Sequence, residues 1–348
     1  MLTVDLEKIV NARIHSGREE NILTISIVIG SNETLIVPCV CSIYDGTKTS
    51  FDLYIISNIA SDETIKNLQN QFKNIKFILN TVRKGFAENH NKIMRMTQSE
   101  YILILNDDTL ILPGSIDALV NFMESQENQD VGAVSPKLLN DDGTLQPSTY
   151  RFMNLFTVFL GLTGIRRIIP NSKNVRSIIN FIQKYFRIKG KTRFWDHSHT
   201  SEVDTFRGAC MLVRREAVKE IGLMDEVSRF MGEETEWHYR FKKKGWKVIY
   251  YPFSQIVHYG GESLKRQEKL SVLLEEYKGL LNFYRKHRNY LSYLSLRCMI
   301  TTIFVFKYTI SIVRDRNWKT ERSYYHEIFR LMLTPDIFFK NKVGLTDL

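Results

Sequence analysis

Short apolar runs alternate with helical patterns in the first third of the chain, and this alternation constrains the fold more than any other feature. The runs are rich in Ile and Leu and end at small or polar residues, as buried strands do. They occupy residues 22–29, 51–56, 75–79 and 101–105, with helical patterns at residues 62–72 and 86–96 between them. Strands that alternate with helices predict an α/β fold with a mostly parallel central sheet.

Two carboxylates stand at the tip of the fourth run, in the segment Asn106-Asp107-Asp108-Thr109. An unpaired charge is too costly inside a core, so these groups must face water, a cleft or a metal. Hard cations such as Mg²⁺ and Mn²⁺ bind carboxylate oxygens together with substrate phosphates. The same four residues also suit an ordinary turn, so this segment alone leaves both interpretations open.

Polar residues also follow the first two runs, at Ser31-Asn32 and Ser57-Asn58. Parallel sheets bind ligands beyond the carboxyl ends of their strands, so we expect these loops to surround one cleft. The sequence contains neither a Gly-x-Gly-x-x-Gly pattern nor a P-loop, which excludes those two ways of holding a nucleotide.

The cysteines and the first twenty residues bear on the compartment. Cys39, Cys41, Cys210 and Cys298 are scattered and form no zinc or disulfide framework, which indicates a reducing cytosol. Charged residues recur through residues 1–20, so no uninterrupted apolar signal-peptide core is expected there.

The positive charge is concentrated in one segment. The 348 residues include 48 Lys and Arg against 38 Asp and Glu, a formal net charge of +10. Residues 143–195 contain no acidic residue and ten cations, interleaved with Phe, Ile and Leu. We expect this basic amphipathic segment to bind an anionic membrane face or a lipid phosphate. Two other interpretations of such a segment are a nucleic-acid-binding surface and an ordinary solvated basic face. Of the possible partners we expect the membrane and not a nucleic acid.

The C-terminal part of the chain, residues 266–348, has helical and basic patterns. Its most apolar run, residues 298–306, is bounded by Arg297 and Lys307. That run is far shorter than the roughly 20 residues that a membrane span needs. The sequence therefore predicts helices that lie at a membrane surface rather than cross it.

A second group of polar motifs lies between residues 207 and 261. Arg207-Gly208 precede an apolar run and a short helix near residues 216–221, and Gly232-Glu233-Glu234 begin another helical pattern. His258 follows a predicted strand and is either a metal ligand or an ordinary surface or core histidine.

In their order and spacing these segments resemble the family 2 inverting glycosyltransferases, especially the bacterial rhamnosyltransferase-like branch. The motifs that carry the likeness are Ser57-Asn58-Ile59-Ala60-Ser61-Asp62, Arg83-Lys84-Gly85-Phe86-Ala87, Asn106-Asp107-Asp108-Thr109, Gly143-Thr144-Leu145-Gln146-Pro147, Gly208-Ala209-Cys210 and Gly232-Glu233-Glu234. The resemblance implies a single Rossmann-like domain of the GT-A type over residues 22–265. Residues 1–21 would then be an N-terminal extension, residues 143–195 a basic insertion and residues 266–348 a helical region at the membrane surface.

The resemblance also implies roles for individual residues. Glu234, or its neighbour Glu233, is expected to be the catalytic base, and Asp108 with His258 is expected to bind Mg²⁺ or Mn²⁺. A nucleotide sugar of the dTDP or UDP type is expected to contact Ser31, Asn32, Asn58, Asp62, Arg83, Gly85, Phe86 and Asp107. The residues expected on the acceptor side are Arg207, Gly208, Trp237 and Arg240.

The implied reaction is inverting transfer of a sugar such as rhamnose in cell-surface polysaccharide synthesis. The implied acceptor is a glycan or a glycan carried on a lipid diphosphate, and the implied location is the cytoplasmic face of the plasma membrane.

Two positions depart from the family pattern. Ser57 stands where the family usually has an Asp that contacts the nucleobase, and Glu234 stands where it usually has the Asp base. A misplacement of about 1 Å costs on the order of 10²-fold in rate. Glu234 therefore needs a compensating backbone shift, or Glu233 or Glu236 takes the role.

These departures keep a catalytically weakened glycan- or nucleotide-binding subunit open as an alternative. A nucleotidyltransferase, which also uses strand-tip carboxylates and Mg²⁺, is the other one. The missing Gly-rich phosphate loop and the Gly-Glu-Glu helix start argue against it.

Overall fold

A computed structural model describes residues 21–30, 33–58, 60–163, 197–227, 232–260, 269–314 and 318–334 of the chain. Their strands are β1 (Leu23–Ile29), β2 (Phe51–Ser57), β3 (Ile75–Leu79), β4 (Tyr101–Asn106), β5 (Thr109–Ile111), β6 (Val131–Leu139), β7 (Leu145–Gln146), β8 (Thr149–Tyr150), β9 (Ser201–Glu202), β10 (Thr205–Phe206), β11 (Cys210–Arg214) and β12 (Lys247–His258). Their helices are α1 (Ile36–Gly46), α2 (Asp62–Gln71), α3 (Phe86–Met96), α4 (Ser115–Glu124), α5 (Leu155–Thr163), α6 (Arg215–Ile221), α7 (Glu233–Lys243), α8 (Lys269–His287), α9 (Tyr290–Arg314) and α10 (Trp318–Leu333). The four strands and two helices predicted before residue 110 are confirmed, each within one residue at either end.

The central sheet is mixed, and its larger continuous part is parallel. Its strands lie in the order β3-β2-β1-β4-β11-β6-β12-β5, with β7 paired to β6 and β9 to β12. Strands β1 to β4 are parallel to one another, and β12 is parallel to β6. Strand β11 is antiparallel to both β4 and β6, so the ends of β1, β2, β4 and β12 meet the start of β11 at one edge. The predicted α/β fold with a mainly parallel sheet is confirmed.

Alternating side chains of the strands build two cores, one on each face of the sheet. Leu103 and Leu105 of β4 pack with α1, α2 and α4, whereas Ile102 and Ile104 pack with α3, α6 and α7. This division follows from the strand repeat, in which successive side chains point to opposite faces. Both faces are covered by helices, as the continuous apolar runs of the parallel strands require.

A third core joins helix α5 to the C-terminal helices α8, α9 and α10. It includes Val158 of α5, Tyr284 of α8, Leu296 of α9 and Ile328 of α10. The described part of the basic segment, residues 143–163, therefore packs on the C-terminal helices through α5. The cations from Arg166 to Arg193 lie outside the described residues.

Helix α9 extends well beyond the short apolar run, residues 298–306, that the sequence predicts. Its part Tyr290–Ile312, 23 residues, is long and apolar enough by length and composition to cross a membrane, and no other helix among the described residues is. The cations that bound the predicted run do not interrupt this helix. Arg297 donates a hydrogen bond of 2.8 Å to the carbonyl of Thr334, and Lys307 lies 5.3 Å from the centre of the Phe304 ring.

Candidate functional site

The acidic strand tip meets the end of β12 at the sheet edge. His258 pairs in register with Thr109 of β5, and the Tyr259 amide donates to the Asp108 carbonyl at 3.0 Å. This pairing brings His258 Nε2 to 3.3 Å from Asp108 Oδ1, and both side chains are buried. The structure thus brings together the two residues that the sequence assigned to a metal.

Asp107 points to the other side of the strand tip and accepts a hydrogen bond of 2.7 Å from the Gly30 amide at the end of β1. Burial, with the Asp108 carboxylate as a smaller contribution, raises the pKa of Asp107 to about 7. The Gly30 amide opposes this rise because it stabilises the ionised form. Asp107 therefore ties β4 to β1 at the place where ligands bind in such sheets.

Asp108 and His258 fit a hard divalent cation whose other ligands are phosphate oxygens and water. Asp108 Oδ1 is buried and accepts no hydrogen bond, although a buried carboxylate oxygen normally has a partner. Among the described residues, no three His, Cys, Asp or Glu side chains converge into a metal cage. Two protein ligands suit Mg²⁺ or Mn²⁺, which commonly bind through one or two carboxylates plus substrate phosphates.

The predicted donor-side residues lie on neighbouring loops of the same edge. Asn58 Oδ1 accepts hydrogen bonds from the Lys84 amide at 3.1 Å and from Asn80 Nδ2 at 2.9 Å, while Asn58 Nδ2 donates to the Lys84 carbonyl. Asn58 thus holds the loop that carries Arg83 and leads into α3. Ser31 and Asn32 lie outside the described residues, as does the side chain of Asp62 at the start of α2.

Ser57 and Arg83, which flank the contacts of Asn58, differ in their exposure to solvent. Ser57, which replaces the family's Asp, is buried, and its hydroxyl accepts a hydrogen bond of 2.9 Å from the Ala60 amide. Arg83 is exposed at the rim of the loop. The backbone turn at Ser57 is therefore stabilised by the serine itself, and the side chain of Arg83 extends into solvent.

Gly208 connects the donor-side loop to the acceptor-side segment. A Cβ atom added to Gly208 would lie 3.2 Å from Cζ of Phe86, so the missing side chain makes room for that ring. Gly85 is the N-cap residue of α3 and sets Phe86 at the first turn. The Ala209 carbonyl accepts a hydrogen bond of 2.9 Å from the Asn106 amide, so this segment lies directly beside the acidic strand tip.

Helix α7 starts with the two predicted catalytic glutamates. Its N-cap Gly232 has φ = 94°, a left-handed conformation that favours glycine. A Cβ at Gly232 would lie 3.4 Å from Cα of Gly279, so the helix start also packs closely on α8. Glu233 is buried, whereas Glu234 is partly exposed.

Burial raises the pKa of Glu234, and the backbone amides of Gly232 and Glu234 and the charge of Arg207 oppose the rise. Arg207 is therefore an electrostatic neighbour of the predicted base, and its Nε donates a hydrogen bond to the Tyr150 hydroxyl at 2.5 Å. A carboxylate with a raised pKa is suited to accept a proton near neutral pH.

Trp237 and Arg240, predicted on the acceptor side, both turn into the protein behind the helix start. Trp237 is fully buried, and its Nε1 donates to the Gly222 carbonyl at 2.8 Å. Arg240 donates to both carboxylate oxygens of Glu236 and to the carbonyls of Ile221 and Leu223. Both side chains therefore brace the turn after α6, and their place on the acceptor side stays a prediction.

Glu236 joins the catalytic helix to the C-terminal helices. Its Oε1 lies 2.8 Å from Nε2 of His287 on α8. Burial opposes ionisation of Glu236, but His287, Arg240 and Lys286 together outweigh burial and hold the pKa of Glu236 at about 2. The three glutamates of α7 therefore do not share one environment.

Sequence reasoning missed two residues that support this site, Gln146 and His287. Gln146 Oε1 lies 2.6 Å from His258 Nδ1, although 112 positions separate the residues along the chain. Gln146 lay within a recognised motif but carried no assigned role, and His287 lay in a basic helical pattern. No local periodicity marks either residue, because each acts through a partner far away in sequence.

Residues 25–272 match the model of the family described as "Glycosyltransferase like family 2". The N-acetylglucosaminyl-diphospho-decaprenol L-rhamnosyltransferase of Mycobacterium tuberculosis is 21% identical over 231 residues, which cover 63% of this chain and 70% of that protein.

Two solved structures share the fold. The mannosyltransferase PcManGT from Pyrobaculum calidifontis, in complex with GDP-Man and Mn²⁺, superposes with a TM-score of 0.50 at 10% identity over 97% of this chain and 95% of its own. GalNAc-T7 with UDP, GalNAc and Mn²⁺ superposes with a TM-score of 0.51 at 14% identity, over 76% of this chain and 48% of its own. At such low identities, these likenesses establish the fold alone.

Proposed function

The chain belongs to the glycosyltransferase-like family 2 and has a GT-A fold, and on that premise we propose that it is a metal-dependent, inverting glycosyltransferase. Its donor would be a dTDP- or UDP-linked deoxyhexose or hexose, with rhamnose first among the candidates. Its acceptor would be a glycan or a lipid-diphosphate-linked glycan in cell-surface polysaccharide synthesis. The similarity to the mycobacterial L-rhamnosyltransferase supports both choices.

One observation carries this proposal: a buried carboxylate oxygen without a hydrogen-bond partner faces a histidine nitrogen at the edge of the sheet. Asp108 Oδ1 and His258 Nε2 lie 3.3 Å apart where β4 and β12 end. This pair is placed to hold a divalent cation, which would supply positive charge to the departing nucleoside diphosphate.

The protein's own residues would supply the proton transfer and the positioning. Glu234 accepts the proton of the acceptor hydroxyl as that oxygen attacks the anomeric carbon, on the face opposite the diphosphate. The positive charge of Arg207 opposes the rise that burial causes in the pKa of Glu234, and so favours the ionised form that can accept that proton. Glu233 is buried, and Glu236 is paired with Arg240 and His287, so both are less suited to the role.

The residues that would contact the donor nucleotide sugar are those of the Asn58 loop and Asp107. Asn58 holds the backbone at Lys84, and the Gly30 amide fixes Asp107 beside the expected diphosphate. Arg83 is exposed and free to reach a bound phosphate, to which a Lys or Arg adds a charge-assisted hydrogen bond.

A panel of dTDP- and UDP-sugars with Mn²⁺ and a polyprenyl-diphosphate GlcNAc acceptor tests the function. Transfer from one donor is expected, and NMR of the product should show the anomeric configuration inverted relative to the donor. Binding of donor without turnover would instead favour a weakened binding subunit. Release of pyrophosphate from a nucleoside triphosphate would favour a nucleotidyltransferase.

Helix α9 presents an uncharged exposed face that supports a place at the membrane. We define the α9 stripe as its exposed residues at steps of three and four, namely Leu291, Leu294, Cys298, Thr302, Val305, Thr309 and Ile312. At 1.5 Å per residue the stripe extends about 32 Å. The opposite face of α9, with Leu296 and Phe304, is buried in the third core. An interfacial position at the cytoplasmic face keeps that core intact, whereas a spanning position would expose it to lipid.

Replacement of Leu294 or Val305 by Glu is expected to weaken binding of the full chain to anionic vesicles. Each large apolar side chain buried in the interface contributes about 1.5–3 kcal/mol, roughly a tenfold or greater effect on partitioning. Leu79→Glu is the control, because Leu79 is equally apolar and 63% exposed but lies on β3, outside the C-terminal helices. Vesicle sedimentation measures the effect.

High salt should also weaken vesicle binding. Each basic residue near an anionic surface contributes about 1 kcal/mol to binding. Salt screens this attraction, because charges separated by more than about 8–10 Å no longer interact appreciably at physiological ionic strength. Equal partitioning of the wild-type protein to neutral and anionic vesicles at low salt would contradict this placement. So would a Leu79→Glu variant that lost as much binding as Leu294→Glu.

A further inference from the structure

Gln146 uses both ends of its side-chain amide at the proposed metal site. Its Nε2 donates hydrogen bonds of 3.0 Å to the carbonyl of His258 and 3.0 Å to Oδ1 of Asn140. Its Oε1 lies 2.6 Å from Nδ1 of the same histidine. The short strand β7 pairs with β6 and fixes the backbone from which this side chain extends.

The orientation of the Gln146 amide follows from its partners. A backbone carbonyl only accepts hydrogen bonds, so the group facing the carbonyl of His258 must be the amide nitrogen. The amide oxygen therefore faces the imidazole ring, and an oxygen without hydrogen cannot donate. The proton between the two side chains accordingly belongs to His258 Nδ1.

Asn140 is held in a matching orientation. Its Nδ2 donates to the Thr144 hydroxyl at 2.9 Å, and that hydroxyl in turn donates to Asp142 at 2.5 Å. Asn140 Oδ1 is thereby left to accept from Gln146. The turn between β6 and β7 thus supports Gln146, and Gln146 supports the ring.

A neutral imidazole with its proton on Nδ1 presents a lone pair on Nε2. That nitrogen lies 3.3 Å from Asp108 Oδ1, which accepts no hydrogen bond. The side-chain nitrogen Nδ2 of Asn106 is 3.4 Å from Nε2, too far for a strong hydrogen bond. Two electron-rich atoms that face each other at this distance are placed to bind one cation together.

We propose that Gln146 is a positioning residue that holds the proton of His258 on Nδ1 and so aims Nε2 and its lone pair at the metal of the proposed function. A ligating histidine commonly donates its other N–H to such a partner, and loss of the partner typically costs 10–100-fold in metal affinity. This inference rests on the metal assignment of the proposed function and extends it to a residue that had no assigned role.

The test uses the full chain as wild type, Gln146→Leu and Gln146→Glu, with Gln129→Leu as the matched control. Gln129 is exposed and bonds only locally, to the carbonyls of Glu124 and Ser125. Nitrogen-15 NMR of labelled histidine, assigned with His258→Gln, reports which ring nitrogen carries the proton. Electron paramagnetic resonance measures Mn²⁺ affinity in the presence of UDP.

Wild type and Gln129→Leu should carry the proton on Nδ1, and Gln146→Leu should shift it toward Nε2 and bind Mn²⁺ 10–100-fold more weakly. Gln146→Glu keeps an acceptor for Nδ1–H but loses the donor to the His258 carbonyl. It should therefore retain the Nδ1 proton and stay within a few-fold of wild-type affinity.

Wild-type Mn²⁺ affinity or an unchanged proton position in Gln146→Leu would overturn the inference and leave the proposed function standing. Equal losses of affinity in Gln146→Leu and Gln146→Glu, with the ring proton unmoved, would show that Gln146 merely braces the loop. A wild-type protein that binds no Mn²⁺ with UDP would overturn the metal assignment itself, and the inference with it.

Discussion

Replacement of Glu234 by Gln is expected to lower kcat by about 10³-fold while the affinity for the donor stays within a few-fold of wild type. A positioned general base typically contributes 10²–10⁴-fold, and this base acts on the acceptor hydroxyl rather than on the nucleotide. The amide of Gln keeps the size of the side chain but cannot take a proton. Initial rates with saturating donor, together with calorimetry of nucleoside diphosphate binding, separate the two effects.

Glu216→Gln is the matched control for this prediction, because Glu216 is an exposed glutamate in the first turn of α6 and should leave turnover unchanged. Glu234→Asp adds a second measure, since the carboxylate would retract by about one bond length and lose on the order of 10²-fold. Full turnover in Glu234→Gln, with Glu233→Gln inactive, would move the base one residue back. A more active Glu234→Asp would indicate that the glutamate weakens this chain.

Replacement of Asp108 by Ala is expected to abolish the Mn²⁺-dependent part of UDP binding without lowering the Tm of the metal-free protein. Loss of an outer-shell partner already costs about 10–100-fold in metal affinity, so loss of a direct ligand should cost at least about 100-fold. The carboxylate oxygen that is removed is buried and accepts no hydrogen bond, so its loss relieves a desolvation cost. Calorimetry and thermal melting, each with and without Mn²⁺, measure the two effects.

Asp130→Ala is the control for Asp108→Ala, because Asp130 lies before the start of β6 and forms a largely exposed pair with Lys247. Mn²⁺ with UDP should raise the Tm of wild type and of Asp130→Ala, since a ligand that binds only the folded state stabilises it. The same additions should leave the Tm of Asp108→Ala unchanged. Equal UDP affinity in wild type with and without Mn²⁺ would show that the metal assignment is wrong.

The sheet could be predicted because its signals are local. The apolar runs and polar tips of β1 to β4 depend on residues that are neighbours in sequence, and each bound agrees within one residue. Strand β11 shows the limit of this reasoning. Its apolar run was noted, but its antiparallel place between β4 and β6 depends on pairing with segments far away along the chain.

The acidic strand tip was likewise visible in sequence, whereas the roles of the α7 side chains were not. Glu233, Glu234 and Glu236 are chemically equivalent glutamates in one short segment. They differ in the folded protein because Glu233 is buried, Glu234 borders Arg207, and Glu236 is paired with Arg240 and His287. Trp237 and Arg240 face inward for the same reason: the turn after α6 offers carbonyls that only the tertiary fold brings within reach.

The sequence by itself determined the α/β alternation, the carboxylates at the tip of β4 and the family to which the chain is similar, because these depend on local periodicity and motif order. Only the tertiary structure decided that α9 is one continuous helix, since Arg297 is satisfied by the carbonyl of Thr334. It alone also decided that Gln146 contacts His258 across 112 positions. Both outcomes depend on groups that are distant in sequence, so their energies arise only when packing brings them together.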